Sequence, residues 1–205
     1  MWRIKGTRVT VSPAVPVLLA AFVVLSSPVL LAAILTAALC HEWGHYAALR
    51  HFGVRVVRLY ISAFGAEMDV GSTARLSYGA EMLAVLAGPG VNLALAMLLG
   101  GLGYWWEPGY LFAGAHLVLG VFNLLPAPPL DGGRLVWLMT AWLTEPFTAD
   151  RVTAAVGVVV SGALAAGGIL LTCRAGGSPF LLLGALGLLV TNLREKGLVK
   201  SPVTR

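Results

Sequence analysis

The sequence predicts an all-α polytopic membrane protein, with about six transmembrane helices and a small membrane-associated β-sheet on the cytoplasmic side. Three observations point there. Hydrophobic residues make up 58% and charged residues only 11% of the 205 positions. Mean hydropathy is +0.86, and the apolar residues gather into separate segments with basic residues scattered singly between them. The net charge of +5 does not signal a nucleic-acid partner, because no basic run is present to track a phosphate backbone. Two cysteines, Cys40 and Cys173, support neither a disulfide framework nor a cysteine zinc cluster. No internal repeat or low-complexity linker interrupts the chain.

The N-terminal stretch WRIKGTRVTV reads as a strand on the cytoplasmic face. The apolar stretch from Pro13 to Cys40 is too long for one span of ~20 residues and too short for two. Two spans therefore require the second helix to run on through HEWGHYAALR, with a break at Ser26, Ser27 and Pro28, since proline suits the first position of a helix. The same continuity argues against a cleaved signal peptide. From Val54 to Val70 the chain is rich in Val, Ile, Tyr and Phe with a glycine near the middle, which reads as two short strands. Further spans are expected at Tyr78 to Tyr104, Tyr110 to Leu125, Val152 to Thr172 and Phe180 to Asn192. With both termini cytoplasmic, every Arg and Lys except Arg174 falls on the cytoplasmic side, as the positive-inside rule expects. The tryptophans of GYWWEPGY suit the outer interface.

Chemistry concentrates in HEWGH. On a helix His41 and His45, at i and i+4, project from one face, so two imidazoles can hold one metal ion. Glu42 sits beside them without being a ligand. A zinc ion held this way lowers the pKa of water, and the neighbouring carboxylate can take the proton as that water attacks an amide. Three ionisable side chains within one turn of a membrane helix are costly to bury, so a compensating ion or a wet cavity is expected. Gly44, between the ligands, offers a bare surface for close packing of another helix.

A catalytic zinc site usually has three protein ligands. Most of the nine acidic residues lie in loops or near span ends. Asp131 stands out in NLLPAPPLDGGR, where Pro126, Pro128 and Pro129 cannot support a regular helix and Gly132 and Gly133 permit tight turns. Irregular backbone at membrane depth is tolerated where it lines a cavity or is buried in protein. Asp131 either faces something polar there or caps a short helix beginning near Gly132. Glu67, in the hairpin, is the other candidate for the third ligand. Asn92, after GPG, is expected to support helix packing or the active-site loop. His116, about two turns before Asn123, reads as an interhelical hydrogen-bonding residue or as lining for a substrate cavity.

HEWGH, AGPGVN and FNLLPAPPLDGG, in this order and on three separate membrane segments, resemble the site-2 protease family of intramembrane zinc metalloproteases over roughly residues 1–195, leaving 196–205 as a short cytoplasmic tail. The resemblance implies that His41, His45 and Asp131 bind Zn2+, that Glu42 is the catalytic base, and that Asn123 helps to hold the substrate backbone. Within the family the chain most resembles the proteases that release a sporulation sigma factor. RVVRLYISAFGAEMDV is similar to their membrane-associated hairpin, with Phe64 and Gly65 at the turn on the substrate side. No PDZ domain and no C-terminal nucleotide-sensing domain is expected.

The implied function is regulated intramembrane proteolysis of a membrane-embedded or membrane-associated protein in the cell membrane, with the lipid bilayer and an inhibitory membrane protein as partners and no nucleic acid. A small interfacial sheet could also serve only to anchor the helices. The alternative function is a membrane zinc transporter using the same residues as a transit site. Glu42 discriminates between the two, because a transit site needs no base beside the metal.

Overall fold

The computed structural model describes residues 2–4, 7–62, 65–71, 76–175 and 187–192. They form two compact units, residues 1–121 and 122–205. In chain order the elements are β1 (Trp2–Ile4), β2 (Thr7–Val11), α1 (Ala14–Leu25), α2 (Pro28–His51), β3 (Arg58–Ser62), β4 (Gly65–Asp69), α3 (Tyr78–Leu102), α4 (Pro108–Asn123), α5 (Asp131–Leu143) and α6 (Pro146–Ala175).

The expected break between the first two helices falls where proline chemistry places it. Ser27 is the N-cap of α2 and accepts a hydrogen bond from the N–H of Leu30 at 3.2 Å, with Pro28 opening the helix. Ser77 caps α3 in the same way through Ala80. The N-terminal stretch supplies two strands rather than one, and the sheet runs in the order β1-β2-β3-β4. The β1/β2 and β3/β4 pairs are antiparallel, whereas β2 and β3 are parallel, with Arg8 opposite Arg58 and Val11 opposite Ile61. A parallel pair needs a long crossover, and α1 with α2 provides it. Thr7 ties the sheet to the chain ahead of β3 by donating to the carbonyl of Val56 at 2.8 Å.

In this first unit α2 packs against α3 along small residues. Ala33, Ala37, His41 and Gly44 form the buried stripe of α2, and Ala84, Val85, Gly88, Pro89, Asn92 and Ala96 that of α3. Large apolar residues such as Val24, Met97 and Val118 are instead exposed. Small side chains inside and large apolar ones outside suit a protein whose solvent is lipid.

The second unit is built around the irregular segment between α4 and α5. Turn bonds from Ala127 N–H to the Leu125 carbonyl (2.8 Å) and from Leu130 N–H to the Ala127 carbonyl (3.0 Å) hold it, and its Pro128–Pro129 peptide is cis. Gly132 and Gly133 do not make turns, as their sequence suggests, but lie in the first turn of α5. A Cβ on Gly132 would strike the carbonyl oxygens of Leu124 and Leu125, and one on Gly133 the backbone of Ala127 and Pro128, so glycine lets the helix start against its own incoming loop. Asn192 clamps the same loop by donating to the Pro128 carbonyl at 2.7 Å and to the Leu188 carbonyl at 2.8 Å. Ala127, Leu130 and Leu188 form the core, with Leu125, Val160 and Leu164 against it.

Among the described residues two helices, Tyr78–Leu102 and Pro146–Arg174, are long and apolar enough to cross a membrane, and Val15–Val24 is a shorter apolar helix. Six passes are thus expected from the sequence and two are seen on this criterion. The apolar part of α2 gives way to the polar HEWGH turn, and most of the last expected span lies outside the described residues. No span is expected at α5, and this helix of 13 residues rises only about 20 Å, short of the ~30 Å hydrocarbon core.

Candidate metal centre

The HEWGH turn lies within the long helix α2, as its spacing requires. His41 is buried, at 4% exposure, and its ring meets that of His45 edge to face, with centroids 4.7 Å apart and planes at 82°. The two Nε2 atoms face each other at 3.1 Å. Two nitrogens bound tetrahedrally at the usual zinc distance would stand about 3.3 Å apart, so the imidazole pair fits one ion without rebuilding the turn. A hydrogen bond at 2.9 Å to the carbonyl of Ala84 fixes the other side of His45. A carbonyl only accepts, so Nδ1 carries the proton and Nε2 presents its lone pair.

The room for this arrangement comes from glycine. A Cβ on Gly88 would strike the His45 imidazole, and a Cβ on Gly44 would stand 2.6 Å from the Ala87 carbonyl oxygen. Gly44 therefore lets α3 approach α2 so closely that the carbonyl of Ala84, one turn before Gly88, reaches the His45 imidazole. Asn92, on the same face of α3, is fully buried and places Nδ2 3.3 Å from His41 Nδ1. Its Oδ1 is 3.1 Å from Nδ1 of His116 on α4. His116 thus makes the interhelical hydrogen bond expected of it.

Glu42 turns towards the sheet, where its Oε1 accepts the N–H of Ala66 at 3.1 Å. Ala66 belongs to β4, which lies at the edge of the sheet, so the outermost strand is bonded to the candidate base. Gly65 begins β4 opposite Ser62, and Phe64 lies outside the described residues. Glu67 pairs with Tyr60 in the ladder, and its side chain is exposed. In the second unit Asp131 is the first residue of α5, and the N-cap is Leu130. The capping role considered for Asp131 is therefore not the one it has. Its carboxylate sits instead in the first turn, at the positive end of the helix dipole. Asn123, half-buried, ends α4. Two participants had no signal in the sequence, the Ala84 carbonyl and the Ala66 N–H, because every residue carries such groups and only the fold selects them.

The model of Peptidase family M50 matches residues 101–166, the stretch from the end of α3 into α6 that holds Asn123 and Asp131. Over this stretch the chain is accordingly similar to a peptidase family, in line with the resemblance its motifs carry. It is 34% identical over 148 residues to Rip3 of Mycobacterium tuberculosis, named as a candidate zinc metalloprotease, covering 65% of this chain and 35% of that protein. Stage IV sporulation protein FB of Bacillus subtilis is 31% identical over 105 residues, covering 49% of this chain and 36% of that one. The chain thus spans about a third of the length of these relatives. The solved structure of the site-2 protease from Methanocaldococcus jannaschii superposes with a TM-score of 0.70 at 19% identity, covering 100% of this chain and 98% of that one, which establishes the fold.

Because Ala87 opposes Gly44 with backbone, which cannot swing aside, Gly44→Ala is expected to force α2 and α3 apart, cost about 1–3 kcal/mol as overpacking does, and lower zinc occupancy of the purified protein. Gly90→Ala, where a Cβ meets nothing within 4 Å, serves as the control and keeps wild-type zinc. Thermal melts with metal analysis of both variants check this; equal zinc in the two would show that the close approach does not position the ligands.

Proposed function

We propose that the chain is an intramembrane zinc metalloprotease that hydrolyses a peptide bond of a membrane-spanning or membrane-associated protein. The observation that carries this reading is the pair of imidazole Nε2 atoms facing each other at 3.1 Å on one helical turn that also holds Glu42. Asp131 is the third ligand in this reading. The three side chains offer one ligand atom each, two imidazole nitrogens and a carboxylate oxygen, which is the mixed donor set of catalytic zinc sites that leave one position to water.

Zinc held by these residues would supply acidified water and a polarised amide carbonyl. Glu42 takes the proton as water attacks and returns it to the departing amine nitrogen. The Ala66 N–H restrains its carboxylate on the sheet side of the turn. A peptide bond within a helix is shielded by its own hydrogen bonds, so the substrate must be extended before attack. β4, as an edge strand among the described residues, has backbone groups able to pair with such a segment; Gly65 begins it, and Phe64, Gly65 and Asn123 are assigned to hold the substrate.

The finer reading is regulated intramembrane proteolysis that releases a transcription factor, such as a sporulation sigma factor. The similarity to stage IV sporulation protein FB supports it. The chain is read as multi-pass with both termini cytoplasmic, supported by the distribution of Arg and Lys and by the two long apolar helices.

His41→Ala, His45→Ala and Asp131→Ala are each expected to lose bound zinc and cleavage of a co-expressed substrate, while Glu67→Ala keeps both. Full zinc in Asp131→Ala with loss in Glu67→Ala would transfer the third ligand to Glu67. Glu42→Gln should retain zinc while cleavage falls ~10²- to 10⁴-fold, the range of general acid–base contributions. Undiminished cleavage by that variant would remove Glu42 from the mechanism, and zinc flux through reconstituted vesicles without cleavage by the wild type would point to the transporter. For the topology, a cysteine at Ser201 is expected to be shielded from an impermeant label in intact cells and one at Ser178 to react; labelling of Ser201→Cys from outside contradicts the orientation.

A further inference from the structure

Behind the first histidine of the turn, two buried polar side chains continue the line of hydrogen bonds. Asn92 on α3 is 0% and His116 on α4 2% exposed, so neither amide nor imidazole is placed to exchange its partner for bulk water. Gly120, one turn after His116, makes their meeting possible: a Cβ there would stand 3.2 Å from the Cβ of Asn92, so its absence lets α4 lie close against α3.

The protons in this line can be assigned. His45 donates from Nδ1 to the Ala84 carbonyl, which leaves its Nε2 bare. With Asn92 Nδ2 towards His41 and Oδ1 towards His116, the donors all run one way. His116 Nδ1–H donates to Asn92 Oδ1, Asn92 N–H to His41 Nδ1, and His41 Nε2–H to His45 Nε2. In this sense of the chain His41 directs a proton towards His45.

An imidazole bonds a metal only through an unprotonated nitrogen. For both Nε2 atoms to hold one ion, the His41 proton must reside on Nδ1, and that N–H needs an acceptor among buried groups. Turning the Asn92 amide by 180° supplies one, because the oxygen and nitrogen ends occupy nearly the same space. Oδ1 then accepts from His41 Nδ1, and the amide N–H donates to His116 Nδ1, whose ring carries its proton on Nε2. Both imidazoles remain neutral, each keeping one proton, so the reversal needs only two changes of tautomer and one amide rotation.

We propose that Asn92 and His116 form a reversible positioning relay that selects the tautomer of His41 able to bind the metal through Nε2. The proposal rests on the reading of His41 and His45 as ligands. It gives Asn92 a defined partner and direction, beyond support of helix packing, and makes His116 the residue that orients the amide.

The test is zinc affinity of the purified full chain in detergent, measured by competition with a chromophoric chelator, with the visible spectrum of the Co2+-loaded protein as a second readout. Asn92→Leu is expected to weaken zinc about 10- to 100-fold, as loss of an outer partner of a metal-bound histidine typically does. Asn92→Asp should stay within a few-fold of wild type, because a carboxylate accepts the His41 Nδ1–H in either orientation. His116→Phe should weaken zinc less than Asn92→Leu and alter the Co2+ spectrum, and His116→Gln, which can still bond the amide, should restore both. A purely structural role predicts that Asp fails at position 92 as badly as Leu, and that Gln at 116 does not recover what Phe loses. Either result overturns the relay, as does wild-type affinity in Asn92→Leu. If Asn92→Leu fails to fold, the Asn92→Asp and His116 variants still decide. A wild type that binds neither zinc nor Co2+ overturns the ligand pair itself.

Discussion

The close approach of α2 and α3 is the constraint on which the first unit depends. Gly44 and Gly88 remove the side chains that would hold the helices apart. Only then can the Ala84 carbonyl reach His45 and the Asn92 amide reach His41. A helix pair spaced by leucines would keep the HExxH pattern and lose the partners that orient its rings. In a bilayer, where burial of apolar surface does not draw helices together, small residues and interhelical hydrogen bonds carry much of the association. Here the same contacts also set the tautomer of His45, so the packing that holds the helices also orients the imidazoles.

The sheet enters through the same turn. Glu42 lies next to His41 in sequence, yet its carboxylate accepts from Ala66 of β4. The parallel pairing of β2 with β3 brackets α1 and α2, so the strands are anchored on both sides of the helix that carries Glu42. The strand bonded to Glu42 is also the outermost one among the described residues, so under the proposed function a segment pairing with β4 would lie beside that carboxylate. In the second unit the glycines after Asp131 play the part that Gly44 and Gly88 play in the first: they let α5 begin against the carbonyls of its own preceding loop.

Local chemistry was legible in the sequence. The HExxH spacing, the Ser27–Pro28 helix start and the hairpin from Val54 each depend on a few neighbouring residues, and each is found where it was read. The resemblance is supported by the family match over residues 101–166, which holds the last of the three motifs, and by the fold shared with the site-2 protease from Methanocaldococcus jannaschii. What was illegible depends on contacts between segments. Gly132 and Gly133 read as turn formers, because their sequence does not show the carbonyls of Leu124 and Leu125 that they face; the short helix considered near Gly132 is α5, but its start at Asp131 depends on that packing. The Ala84 carbonyl and the Ala66 N–H carry no residue-type signal at all. The partner of His116 was hidden for the same reason: a lone histidine on an apolar helix states that a polar neighbour is needed, but not which one.

The central claim is that the two imidazoles of one α2 turn hold zinc through their facing Nε2 atoms. X-ray absorption at the zinc edge of the purified protein reads that directly. The account predicts a first shell of nitrogen and oxygen at about 2.0–2.2 Å, with the outer-shell scattering of two imidazole rings and no sulfur. A shell without imidazole scattering, or one containing sulfur from Cys40 or Cys173, would contradict it.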